Sequence, residues 1–227
     1  GLRQGMEKVE AVAEQVNMIL RYLPYFQGNF VVGLDCDEGP EPFELTKQYL
    51  DMAPGTFPAF SMLTAFGSSA PLNLQYQREG RLVAFPFHFL NNNGAMNVRP
   101  KNYDWRDFYT RMIDLHEHAF SKRRLYNRMK ATPGMIPKTM NIVRGISSEG
   151  WGKIKYFKDI RRRLDEDGAF RKFFDGESDE LPQFYLDQIK LDLGPLWDWL
   201  PDGAVHHDAY AYLKTERAAE PASLATA

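Results

Sequence analysis

Small and acidic residues follow directly after a short apolar run near the start of the chain. The run 30–34 is apolar and β-branched, which predicts a buried strand, and Gly33, Asp35 and Asp37 stand at its end. In α/β folds, ligands bind at the carboxyl ends of parallel strands. We therefore expect these three residues to border a cofactor-binding site.

A second apolar run, 57–66, predicts another strand and carries the hydroxyl of Thr64 near its end. Thr64 joins the expected cofactor site if the two strands are parallel neighbours. The carboxylates of Asp35, Asp37 and Glu38 allow two interpretations. They could bind ribose hydroxyls, amino groups or a hydrated cation, or they could favour the N-terminus of the following helix through its dipole.

Polar side chains also follow the second strand, inside an otherwise aromatic stretch. His88, Asn91, Asn92, Arg99 and Lys101 offer amides and cations that suit recognition of a polar or anionic small-molecule substrate. A hydrogen-bonded turn formed by the same residues is an equal alternative.

Other chemistries find little support in the sequence. His116 and His118 fall in a predicted helix, where a spacing of two places their rings about 200° apart, so we expect no shared metal ion. The run 206–208, His-His-Asp, lies in a late loop, and we assign no metal ligands. Cys36 has no histidine near it in sequence and is read as a passive residue. No catalytic residue is assigned.

Composition restricts the class of protein and its partners. One cysteine in 227 residues excludes an internal disulfide framework and favours a reducing, cytoplasmic compartment. A net charge of −2 gives no overall attraction to nucleic acid or to anionic lipid, and no apolar run is long enough to span a membrane. We therefore expect neither nucleic acid nor membrane as a partner. The basic face 153–163 contains acidic residues and predicts a solvated helix with i, i+4 ion pairs.

The predicted elements alternate between helix and strand. Apolar spacing predicts a helix at 6–23, and later helices begin near Pro40, at Pro71 and after the capping residue Asp104. Helix, strand, helix, strand and helix in this order predict a parallel sheet of the α/β class. A third strand is expected at 96–100. Further helices are predicted at 151–164, 168–174 and 181–193.

This order of motifs resembles the C-terminal half of radical S-adenosylmethionine (SAM) enzymes of the type associated with cobalamin-binding domains. The resemblance covers about residues 5–130 and is carried by Phe-Val-Val-Gly-Leu-Asp at 30–35, Leu-Thr-Ala-Phe-Gly-Ser-Ser-Ala-Pro-Leu at 63–72, Glu-Gly-Arg at 79–81 and Val-Arg-Pro-Lys at 98–101. It departs from the family at 65–69, where the family has Pro-Phe-Pro-Gly-Thr. It also lacks the CxxxCxxC motif that holds the 4Fe–4S cluster.

The resemblance implies the last strands and helices of a partial (β/α) barrel with parallel strands, followed by a mainly helical C-terminal region. Residues 1–130 would form the barrel half, 131–203 the helical region, and 204–227 a loose tail. The Gly33 strand end and Thr64 would lie near SAM, and the segment from His88 to Arg99 would face substrate.

The function implied is the substrate-side part of an iron–sulfur oxidoreductase or methyltransferase-like enzyme that cleaves SAM to a 5′-deoxyadenosyl radical. The cluster, and the barrel strands that hold it, would lie upstream, so this chain would be inactive alone; cobalamin is a further cofactor of some such enzymes. The expected partner at the open sheet edge is the N-terminal barrel half or a second copy of the chain. The alternative is a non-catalytic binding or assembly module with a barrel-like fold.

Overall fold

The computed structural model describes residues 2–66, 70–86 and 94–206. The chain is mixed α/β and mostly helical, at 59% helix. Its elements in chain order are α1 (Leu2–Ile19), β1 (Phe26–Val32), α2 (Glu41–Met52), β2 (Thr56–Met62), α3 (Pro71–Arg78), α4 (Trp105–Ala119), α5 (Lys122–Ala131), α6 (Met135–Ile146), α7 (Trp151–Glu166), α8 (Gly168–Asp175), α9 (Gln183–Leu193) and a 3-10 helix (Gly194–Trp199). Among these residues, no helix is long and apolar enough to cross a bilayer.

Two compact units divide the chain. The first consists of Gly1–Ser61 and Lys101–Glu166, and the second of Met62–Pro100 and Asp167–Ala227. Each unit is therefore built from two separate stretches of sequence, and each is described by itself below.

The sheet is formed by β1 and β2, which pair directly and run parallel. The helix α2 joins them and packs against β1 and α1. Parallel neighbours need such a crossover because the chain must return to the same end of the sheet before the second strand begins. The prediction of two adjacent parallel strands is confirmed. Within the described part of the chain the sheet has these two strands, and a partial barrel is not confirmed.

The strand bounds differ from those that the sequence predicts. β1 spans Phe26–Val32 rather than 30–34, so it begins earlier and ends before Gly33. β2 ends at Met62 rather than at Phe66. The prediction of a third strand at 96–100 is wrong. This segment forms one isolated antiparallel bridge, between Leu82 and Val98. Apolar composition over-extends such predictions because buried loop residues are as apolar as strand residues.

Helix packing gives the first unit its core. Asp104 caps α4 as predicted, since its carboxylate accepts hydrogen bonds from the backbone N–H groups of Arg106 and Asp107 at 2.8 and 3.0 Å. The apolar stripe of α4 is buried between α2 and α7, and Phe108, Met112 and Leu115 are fully buried.

An aromatic cluster forms the core of the second unit. Phe85 meets Phe173 and Tyr185 edge to face, with ring centroids 5.2 and 4.8 Å apart. Phe170 stacks on Tyr185 at 5.6 Å. Edge-to-face and offset-stacked rings bury large apolar areas with favourable quadrupole geometry. The helices α8 and α9 are positioned by this cluster.

Candidate functional site

The turn that follows β1 brings together the acidic residues predicted for the cofactor site. Gly33 stands immediately after Val32 at the carboxyl end of β1 and is buried, with φ at +84°. A side chain would be strained in this left-handed conformation, so glycine is required here. The backbone then reverses through a hydrogen bond from Asp37 N to Leu34 O at 2.9 Å.

Asp37 closes this turn through its side chain. One carboxylate oxygen, Oδ2, accepts hydrogen bonds from the backbone N–H groups of Gly33 and Leu34 at 2.9 and 3.0 Å. Burial raises the pKa of Asp37 above its usual value, and the two backbone hydrogen bonds oppose that shift. No side chain caps α2, which begins after Pro40. The interpretation that the carboxylates favour this N-terminus through the helix dipole stays a prediction.

Residues just before α4 hold the turn in place. The side-chain amide of Asn102 donates to the carbonyl oxygens of Asp35 and Asp37 at 3.0 and 2.9 Å. The hydroxyl of Tyr103 donates to Gly39 O at 3.0 Å. Burial, together with the nearby charge of Asp37, raises the pKa of Tyr103 to about 12. The sequence did not single out Asn102 or Tyr103; their place between Lys101 and the capping Asp104 was the available signal.

The assembled turn offers hydrogen-bond acceptors at a strand end. Oδ1 of Asp37 takes no part in the two backbone hydrogen bonds and lies 4.0 Å from Cys36 Sγ. The exposed Lys101 immediately precedes Asn102 in the chain and adds a cation to the segment that holds the turn. Carboxylate and carbonyl oxygens suit ligands that present hydroxyl or ammonium donors. The turn can therefore bind a donor-bearing ligand without using a metal.

Thr64 lies in the second unit and serves a different local structure. Its hydroxyl is within hydrogen-bonding distance of Met62 O and Ala95 O, at 3.1 and 3.2 Å. Next to it, the side-chain amide of Asn97 accepts from Ala65 N at 2.8 Å and donates to Ala65 O at 2.9 Å. Asn97 thus imitates a paired strand and fixes the backbone that leaves β2. This double contact joins residues 32 positions apart, so local sequence patterns do not reveal it.

Arg99 also lies in the second unit and bonds to backbone carbonyls. Its guanidinium donates to Asp175 O at 2.5 Å and to Gly80 O. A Cβ at Gly176 would come within 2.9 Å of Arg99 Nη1, and Gly176 has φ at +76°. Arg99 therefore ties the end of α8 to the turn after α3, which requires glycine at position 176.

His88, Asn91 and Asn92 lie outside the described residues, so their predicted role in substrate binding stays a prediction. Within the described residues, no group of three or more His, Cys, Asp or Glu side chains could hold a metal ion. His116 and His118 point to different partners, as their spacing predicted. His116 Nδ1 bonds to Met112 O at 2.8 Å inside the core, and His118 Nε2 lies 2.8 Å from Asp51.

The basic face of α7 is a set of ion pairs. Arg162 lies 2.7 Å from Glu166, Arg163 lies 3.2 Å from Asp159, and Arg161 pairs with Asp165. Each of these pairs has i, i+4 spacing on one helix. The prediction of a solvated face laced with ion pairs is confirmed.

A groove runs along the edge of β1 that faces away from β2. Five consecutive residues of β1, 26–30, line it together with Val12 of α1 and Leu45 and Tyr49 of α2, and its volume is about 550 Å³. Alternate residues of a strand face opposite sides of a sheet, so a groove that touches five in a row lies along the strand edge. Within the part of the chain that the structure describes, no strand pairs with this edge, and apolar side chains flank it.

No family model matches the chain, and neither does any curated protein or solved structure.

Proposed function

We propose that this chain is the substrate-side, C-terminal part of a radical SAM oxidoreductase or methyltransferase-like enzyme. The observation that carries the proposal is the parallel pairing of β1 and β2, with the Gly33 turn at the carboxyl end of β1. Ligand sites of parallel α/β proteins lie at this edge. The turn there is built from the residues on which the family resemblance depends.

The turn fits one part of SAM. The ammonium group and ribose hydroxyls of SAM are hydrogen-bond donors. Oδ1 of Asp37, which takes no part in the two backbone hydrogen bonds, is an acceptor. Gly33 has no side chain that would keep a ligand away from the backbone. In this proposal Gly33, Asp35 and Asp37 contact SAM, and Asn102 and Tyr103 act as positioning residues that keep the turn rigid.

The residues do not fit an iron–sulfur cluster. Three thiolates are needed to hold such a cluster with one iron open to SAM, and this chain has one cysteine, which is exposed. In this proposal the cluster belongs to a barrel half outside this chain. When bound beside a reduced cluster, SAM supplies the radical chemistry of this class. A methyltransferase-like enzyme of the resembled type would add cobalamin.

The first test is the reading frame upstream of Gly1. Three cysteines at three-then-two spacing within one continuous frame support the proposal, whereas an initiation codon close to Gly1 contradicts it. The isolated chain should bind no stoichiometric four-iron cluster after anaerobic reconstitution, and a bound cluster would also contradict the assignment.

The second test uses the chain joined to, or expressed with, that upstream barrel half. After anaerobic reduction, the production of 5′-deoxyadenosine from SAM is measured for Asp37→Ala and for Glu38→Ala. Asp37→Ala opens the turn, so we expect the KM for SAM to rise about tenfold or more, which is the loss of about one charged hydrogen bond. Glu38 is exposed and next in sequence, and its variant should behave like the parent. If the KM for SAM is the same for the two variants, the turn is not part of the SAM site.

A second candidate function is a binding or assembly module, and the groove along β1 favours it. An open strand edge between apolar helix faces accepts an added strand from a partner, either an N-terminal barrel half or a second copy of the chain. If a second copy fills the groove, sedimentation should show a dimer that Val12→Asp disrupts and Leu191→Asp, an exposed control outside the groove, does not. A monomer that is unaffected by either change would argue against self-assembly through this edge.

A further inference from the structure

The hairpin formed by α5 and α6 concentrates positive charge in a chain that is slightly acidic overall. Residues 121–146 contain seven basic side chains and no acidic one, although the net charge of the chain is −2. The basic residues are Lys122, Arg123, Arg124, Arg128, Lys130, Lys138 and Arg144. The two helices pack against each other, so these basic residues belong to one local region of the fold.

Three of these cations are used inside the fold. Arg128 is buried and donates to Thr56 O and Ala119 O at 3.1 and 2.9 Å. Arg124 pairs with Asp51, and Arg144 pairs with Glu149. The remaining four, Lys122, Arg123, Lys130 and Lys138, form no ion pair with any residue that the structure describes. Their charge is therefore available to an anionic partner.

The helix α6 presents an apolar face to solvent. Met135 and Ile136 are 76% and 79% exposed, and Met140, Ile142, Val143 and Ile146 are also exposed. At 100° per residue, these side chains span an arc of about 160° in which Thr139 is the one polar residue. The opposite side of the helix holds its buried residues, Asn141 and Gly145.

Basic residues border this apolar arc. On the same helical projection, Lys138 and Arg144 lie about 40° beyond its two ends. On α5, the exposed Tyr126 adds an amphipathic aromatic side chain to the hairpin. An apolar helix face bordered by Lys and Arg is the pattern of helices that lie in the plane of a bilayer surface.

We propose that the α5–α6 hairpin docks on the surface of an anionic lipid bilayer, with the apolar face of α6 inserted among the headgroups. This interaction goes beyond the proposed enzyme function. It revises the expectation, drawn from the net charge and from the lack of a membrane-spanning apolar run, that membranes are not partners. A second copy of the chain fits the surface poorly because two such hairpins repel each other. Nucleic acid fits poorly because it does not bury Met, Ile and Val side chains.

The test is co-sedimentation of the 227-residue chain with lipid vesicles. Vesicles of phosphatidylcholine mixed with phosphatidylglycerol should bind the chain, vesicles of phosphatidylcholine should bind it at least about tenfold more weakly, and salt should weaken the binding. The variant Lys122→Glu with Arg123→Glu should lose about tenfold or more in affinity, since each basic residue near the surface contributes about fivefold. The control double variant, Lys155→Glu with Lys172→Glu, makes the same change in charge outside the hairpin. Its affinity for the vesicles should fall clearly less.

A second pair of variants tests the apolar face. Met135→Ser with Ile136→Ser should reduce vesicle binding about tenfold or more, whereas Leu191→Ser with Leu196→Ser, at exposed apolar positions outside the hairpin, should not. All four positions are exposed, so folding should be retained, and circular dichroism checks this. Equal binding to both kinds of vesicle, or binding that neither hairpin variant changes, overturns the proposal. The proposal is also overturned, in favour of self-association, if the parent chain binds no vesicles but forms a dimer. In that case the double variant Met135→Ser with Ile136→Ser would abolish the dimer.

Discussion

Replacing Asp37 tests whether its carboxylate holds the turn after β1. Its Oδ2 accepts two backbone hydrogen bonds, at 2.9 and 3.0 Å, and a hydrogen bond to a charged group contributes about 1.5–3 kcal/mol. The site is partly exposed, so water can replace some of this interaction, and we expect Asp37→Ala to cost about 2 kcal/mol of unfolding free energy. Asp37→Asn keeps an acceptor oxygen in the same place and should cost less than about 1 kcal/mol.

Urea unfolding followed by circular dichroism measures these differences, and amide hydrogen exchange locates them. In Asp37→Ala, the amides of Gly33 and Leu34 should exchange faster, while those in the middle of α4 should respond only to the change in global stability. Glu38→Ala is the control, because Glu38 is exposed and its loss should change stability by less than about 0.5 kcal/mol. If Asp37→Asn destabilises as much as Asp37→Ala, an acceptor at this position does not hold the turn.

The sign of the pH dependence provides an independent check on the same residue. Burial raises the pKa of Asp37 above 3.8, so the folded chain holds this proton more tightly than the unfolded chain. The stability that protonation contributes is present below pH 3.8 and is lost as the pH rises through the raised folded value. Relative to Asp37→Asn, the parent should therefore become less stable as the pH rises through this window. If the parent instead becomes more stable than Asp37→Asn as the pH rises through this window, burial does not raise the pKa of Asp37.

Three further predictions concern buried polar groups. Burial lowers the pKa of His116 from 6.5 to about 4, so the folded chain resists protonation. About 3 kcal/mol of unfolding free energy should therefore be lost as the pH falls across that range. Urea unfolding of His116→Phe at the same pH values should show a smaller loss. Asn97→Ala leaves both backbone groups of the buried Ala65 without their partner and should cost about 2–5 kcal/mol in thermal or urea unfolding, and a cost below 1 kcal/mol would contradict the role given to this amide. Arg128→Lys cannot reach both carbonyls that the guanidinium bridges and should cost about 2–4 kcal/mol, whereas the exposed Arg123→Lys on the same helix should be neutral by the same measurement.

Local sequence signals predicted much of the first unit. Apolar periodicity located α1 and α7, the side chain of Asp104 marked the start of α4, and β-branched residues located β1. These features depend on neighbours within a few residues, which is why the sequence reveals them. The helix α5 was not predicted, since it falls in the stretch assigned to the barrel half. The helix α6 was expected only as part of a general helical region, because its exposed apolar face does not follow the usual pattern of a polar outer surface.

The candidate site was only partly predictable, because local patterns are readable in the sequence and long-range contacts are not. Gly33, Asp35 and Asp37 were recognised because they follow a strand directly. Asn102 was missed because it reaches the turn from 65 and 67 positions away.

The sequence by itself determined the class of most elements in the first unit and the start of α4, because propensity, capping and periodicity act over a few residues. It also determined that this chain lacks the thiolates for an iron–sulfur cluster. Only the tertiary structure decided that the sheet has two strands within the described residues, that Asp37 bonds to its own backbone, and that the apolar face of α6 is exposed in this part of the chain. Those outcomes depend on which distant segments pack together, and that choice is made by the burial of the whole chain rather than by any one stretch of it.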